Sequence, residues 1–118
     1  MILKNVTTLL ILLLSLSSSA QLQLTDASEI SVLTIGPGHL LNDSFGHSAI
    51  RVKDPLYNFD VVFDYGRYNF EAEGFYLNFA QGKLDYMLGR TAFDDFLSFY
   101  EYQNRSIQEQ QLNLSIEQ

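Results

Sequence analysis

The chain has 118 residues, 47% of them hydrophobic and 14% aromatic, with a formal net charge of −7 and no cysteine. That length holds one domain at most, and the composition is that of a folded core, not a disordered segment. The acidic balance repels phosphate backbones and argues against nucleic acid as a partner, while the lack of cysteine rules out a disulfide framework, so core burial must supply the stability.

Met1 to Asn5 carries Lys4 and the α-amino group, Val6 to Leu16 is a leucine-rich apolar run, and Ser17-Ser18-Ser19-Ala20 supplies small residues. This three-part layout reads as a secretory signal peptide over residues 1–20, cleaved after Ala20. The run is too short for a membrane anchor, which needs about 20 apolar residues. Export to the periplasm or cell envelope is therefore expected. The mature part, residues 21–118, keeps six basic against fourteen acidic residues, a net −8, because only Lys4 leaves with the leader.

Within the mature part, Ile30 to Ile35 is a β-branched run that predicts a strand, ended by Gly36-Pro37-Gly38. His39 to Phe45 reads as a loop or a single helical turn. Ser48 to Lys53 predicts a second strand, broken by Asp54-Pro55. Asn58 to Tyr65 is the clearest strand, with Phe59, Val61, Phe63 and Tyr65 on one face and Asp60, Val62 and Asp64 on the other. The short link between these two strands predicts an antiparallel pair. Glu71 to Ala80 predicts a short helix stopped at Gly82, and the alternation over Lys83 to Leu88 predicts another strand. Thr91-Ala92-Phe93-Asp94 fits a helix-capping pattern, followed by an apolar stripe at Phe93, Phe96, Leu97 and Tyr100. Ser106 to Asn113 alternates weakly as a last strand. Ser115-Ile116-Glu117-Gln118 has the S-x-x-Q form of a capping box. Since a helix needs several turns to stabilise itself, this pattern raises the expectation of a truncated sequence; chance recurrence of so short a pattern is the competing explanation.

Chemistry centres on Phe45-Gly46-His47-Ser48-Ala49-Ile50-Arg51-Val52. His47 stands behind a glycine at the mouth of a strand, a position suited to a general base for a thiol or hydroxyl. A structural histidine bonded at a strand end is the other reading, and these residues alone leave both open. Asp64 or Tyr65, ending the neighbouring strand, could orient the imidazole, or could be a solvated carboxylate and a packed ring. Ser48 lacks a G-x-S-x-G elbow and points to the face opposite His47. His39 and Asp43 have no metal-ligand spacing with His47, and Gly36-Pro37-Gly38 lacks the Gly-Lys-Ser/Thr of a phosphate loop, so no metal and no cofactor is expected. Arg51 and Lys53 share the face of His47, as ordinary surface charge or as contacts for an anionic substrate or lipid headgroup.

Ile30-Ser31-Val32-Leu33-Thr34, Pro37-Gly38 and Ser44 to Val52 together resemble the Lnb N-terminal periplasmic domain family. The likeness continues through Asp60 to Gly66, Phe75-Tyr76-Leu77, Phe79 to Tyr86, Asn104-Arg105-Ser106 and Gln110 to Leu114. The resemblance implies an α+β domain, an antiparallel sheet with short helices, forming an incomplete circularly permuted papain-like (NlpC-type) fold. It implies cysteine-dependent lipoprotein N-acylation in the Gram-negative envelope, in which a cysteine takes a fatty acyl group as a thioester and passes it to an α-amino group. Lipid acyl groups or lipoproteins at the membrane surface would be the partners. His47 matches the family's histidine, and Asp64 matches a position that would orient it. The family's Asn-Cys segment is not in these 118 residues, so the expectation is an N-terminal portion that is inactive alone and lacks the C-terminal part of its own domain. The alternative, from another class, is a non-catalytic envelope binding or interaction module.

Overall fold

The computed structural model describes residues 23–115 and 117–118; the expected leader, residues 1–20, lies outside them. The domain is α+β. Five strands, β1 (Glu29–Ile35), β2 (His47–Asp54), β3 (Phe59–Arg67), β4 (Met87–Ala92) and β5 (Ile107–Gln111), form one sheet in the order β4-β3-β2-β1-β5. Every neighbouring pair is antiparallel. Among the described residues, two short helices interrupt the strands, α1 (Phe75–Ala80) and α2 (Phe93–Tyr102), with single 3-10 turns at Leu41–Asp43 and Pro55–Tyr57.

Alternation along β1 and β2 builds the core. Leu33 and Ile35 point to the face that α2 covers, and Leu33 pairs with Ala49 across the sheet. Val62 adds to the same face from β3, and Phe96 and Tyr100 of α2 close over these residues, with Phe93 and Ile107 at the margin. Phe96 meets Tyr100 edge-on at 4.8 Å between centroids, the favoured geometry for an aromatic pair. The opposite face is partly open: Val61 is buried there, but Ile50 is 40% exposed, Tyr65 64% and Leu88 57%.

The β2–β3 link is held by Asp54, which is fully buried. Its carboxylate accepts from the Thr25 N–H at 2.7 Å, the Thr25 hydroxyl at 2.9 Å and the Leu56 N–H at 3.1 Å. It therefore caps the 3-10 turn beginning at Pro55 and ties the segment before β1 to the end of β2. Asn58, left-handed at φ 50°, completes the reversal.

Three expected elements shift. The strand expected over Lys83 to Leu88 lies at Met87–Ala92, because pairing with β3 sets the register and Tyr86 is drawn away into an edge-on contact with Tyr68. Thr91 does not cap α2. It stays in β4 opposite Val62, its hydroxyl accepts from Arg67 Nη2, and Ala92 occupies the cap position with no side-chain bond. Asp94 and Asp95 do fall in the first turn, where the helix dipole favours them. The expected helix from Glu71 begins only at Phe75, which buries against Tyr68 and Phe70. At Ser115 one half of the capping box forms: the Ser115 N–H donates to Gln118 Oε1 at 3.0 Å.

Two stability outcomes follow from this packing. Phe96→Ala should cost about 3–5 kcal/mol, read by urea unfolding, because it removes the ring that joins α2 to the sheet. Burial alone would raise the Asp54 carboxyl, but the hydrogen bonds from Thr25, Leu56 and Tyr57 outweigh it and hold the group below its ordinary value. The stability it contributes is thus present above the unfolded carboxylate pKa of about 3.9 and is lost as pH falls through the folded value. Melts of wild type and Asp54→Asn should differ at pH 7 and converge in acid; parallel curves down to low pH would remove Asp54 as the latch.

Candidate functional site

The β1–β2 register sets His47 opposite Ile35, and the β2–β3 register sets Ala49 opposite Asp64. His47 and Asp64 therefore project from adjacent strands onto the α2 face, at the end of the apolar core. Their side chains meet: His47 Nε2 lies 3.0 Å from Asp64 Oδ2. A carboxylate can only accept, so Nε2 carries the proton and Nδ1 holds the free lone pair. Tyr65 cannot share this role, since it points to the open face. Ser48 is exposed and likewise faces away from the imidazole.

Two glycines make room for the ring. Gly46 has φ 74°, and a Cβ there would stand 2.6 Å from the Ile35 carbonyl oxygen, so the turn into β2 demands glycine. Gly66 lies under the imidazole, where a Cβ would meet His47 Cε1 at 2.7 Å. The β3–β4 ladder shifts register between Tyr65 and Arg67, so Gly66 sits at a bulge. Bulges of this kind re-aim side chains next to functional sites.

The pair forms one wall of a cleft of about 690 Å³. His47 is 19% and Asp64 11% exposed, so the ring is partly sheltered but not sealed. Aromatic residues form the opposite walls: Tyr68 and Phe70 from the segment after β3, and Phe96, Phe99 and Tyr100 from α2. Burial raises both tyrosine hydroxyls above their ordinary range, in Tyr100 against the lowering pull of the Arg105 guanidinium. They are neutral phenols. Ionisable groups enter at the rim and floor, with Arg67 and Arg105 against Asp43, Asp64 and Asp95. An apolar chamber with a few convergent polar groups is the usual form of a small-molecule site.

The remaining expected positions lie elsewhere. His39 is exposed in the loop after β1. Among the described residues, no three His, Cys, Asp or Glu side chains gather as a metal ligand set. Arg51 is engaged internally: its guanidinium lies 3.3 Å from the Phe93 ring centroid, is forked by Asp60 at 2.6 and 2.8 Å, and reaches Glu109 at 3.0 Å. The bond to Asp60 chiefly holds it above its already high pKa, against the cost of burial. Lys53 faces Glu29 at 3.6 Å. Neither cation is directed at the cleft. Arg105, by contrast, was singled out by nothing in the alternation, and it lines the cleft floor.

The fold and cleft define an α+β sheet domain with a histidine–carboxylate pair at the mouth of an aromatic chamber. The chain belongs to the Lnb N-terminal periplasmic domain family, which matches residues 17–118. Membership makes it a periplasmic part of an Lnb-type protein and implies an exported location. No curated protein and no solved structure gives a significant match.

Gly66→Ala should push the imidazole off Asp64 and strain β3 locally, because residue 66 has a φ of 158° that L side chains rarely adopt. The His47 Cε1–H resonance should move toward that of the Asp64→Asn variant while backbone amides away from β2 and β3 stay in place. An unmoved His47 signal would mean that the ring is not held over Gly66.

Proposed function

We propose that His47 and Asp64 are the base half of a thiol-dependent acyltransferase acting on lipid-linked acyl groups. The supporting observation is the 3.0 Å pair at the edge of an aromatic cleft. Asp64 orients the ring and favours the tautomer protonated at Nε2, leaving Nδ1 to take a proton from a thiol. The 118 residues contain no cysteine, so the thiol comes from outside them. In the reaction the family resemblance implies, the thiolate attacks an acyl ester, forms a thioester and releases the alcohol, and an α-amino group of a lipoprotein then takes the acyl group and frees the thiol. Aromatic walls of this kind suit an acyl chain.

On this reading residues 1–20 are a cleaved leader and residues 21–118 are the N-terminal part of a permuted papain-like domain. The open apolar face around Ile50, Tyr65 and Leu88 supports a domain completed by further chain. The lack of a cysteine favours one other reading, a non-catalytic envelope module that keeps the scaffold.

Reading the coding sequence past residue 118 separates the two. An open frame running to an Asn-Cys motif supports the enzyme, and a stop codon supports the module. In the extended protein, a thiol-reactive acyl probe should label the cysteine, and His47→Ala should slow labelling by about 10²–10⁴-fold. Undiminished labelling of His47→Ala would remove the histidine from the mechanism.

A further inference from the structure

Three enclosed side-chain atoms have no hydrogen-bond partner among the described residues: Asn42 Oδ1, Asp64 Oδ1 and Arg105 Nη2. All three belong to residues that line the cleft. Asp64 is one member of the pair already described, but Arg105 has no place in that chemistry. Its side chain is only 4% exposed. Nε donates to the Gly36 carbonyl at 2.9 Å, Nη1 donates to Gln103 Oε1 at 3.2 Å, and Asp43 Oδ1 lies 3.4 Å from Nη1. The guanidinium also sits 4.9 Å from the Tyr100 ring centroid. Nε and Nη1 are thus held by Gly36 and Asp43 in the loop after β1 and by Gln103 just past α2, while Nη2 carries two N–H groups with no acceptor. Enclosing a charged donor without a partner is costly, and a planar fork held this firmly is a preorganised donor for an oxygen atom.

The surrounding charge decides which oxygen. Asp43 already balances the guanidinium, and the cleft carries three carboxylates against two arginines. A further anion would be repelled, whereas a neutral carbonyl accepts a hydrogen bond at no such penalty. Asn42 Oδ1 can accept a hydroxyl or N–H next to that carbonyl. We propose that Arg105 Nη2 donates to the carbonyl oxygen of an uncharged ester or amide held in the cleft, which makes Arg105 a substrate-binding residue. The inference rests on the acyl-transfer reading for what the carbonyl belongs to.

The test is to titrate the ¹⁵N-labelled chain with monolaurin, a neutral glycerol ester of a fatty acid, below its aggregation concentration. The Arg105 guanidinium N–H resonances should shift saturably, and Arg105→Lys should weaken binding about tenfold or more. Inorganic phosphate should leave these resonances in place. Three results would overturn the assignment: monolaurin moving the His47 ring signals but not those of Arg105, phosphate or dodecylphosphocholine saturating Arg105 at lower concentration than monolaurin, or no probe moving Arg105 at all. Should Arg105→Lys fail to fold, the wild-type guanidinium shift decides alone. Failure of the acyl-transfer reading is distinguishable: His47→Ala would then leave cysteine labelling intact, while monolaurin still shifts Arg105.

Discussion

The antiparallel register between β2 and β3 is the constraint on which the site depends. It sets Ala49 against Asp64, so His47, two residues back along β2, reaches the carboxylate across the ladder. A slip of one residue would send either side chain to the open face. The bulge at Gly66 then leaves the imidazole a floor with no side chain beneath it. The geometry of the pair is therefore a property of strand pairing, and no flexible loop has to hold it.

One face of the sheet changes character along its length. At one end Arg51 lies between Phe93, Asp60 and Glu109. The middle is the apolar layer of Leu33, Ala49, Val62 and Phe96. The other end carries His47 and Asp64 and opens into the cleft. Phe96 and Tyr100 belong to both the core and the cleft wall, so the packing that stabilises the domain also shapes the chamber. With this shared wall, side chains that keep water out of the core also shelter the histidine.

Much of this arrangement was legible in the residues. A β-branched run marked β1, alternation marked β3, and the Asp54-Pro55 break marked the reversal between β2 and β3. The motif around Gly46 singled out His47, and the position of Asp64 at a strand end made it a candidate partner. Other features were hidden. The period-2 pattern over Lys83 to Leu88 belongs to a segment whose Tyr86 serves an aromatic cluster, while the true strand carries Gly89 and Arg90. The capping pattern at Thr91 was overridden because that residue remains paired with Val62. Arg105 sits in an irregular turn after α2, where no periodicity marks a side chain as buried.

Taken by itself, the sequence determined the strand character of β1, β2 and β3, the placing of a glycine before His47 and the chemical types available to the site, because these follow from local pattern and composition. Tertiary structure alone decided which carboxylate faces the imidazole, that Tyr65 turns away, and that Arg51 is consumed in ion pairs while Arg105 is left with Nη2 unpartnered. Those outcomes depend on partners distant along the chain, and only strand register and helix docking bring them together.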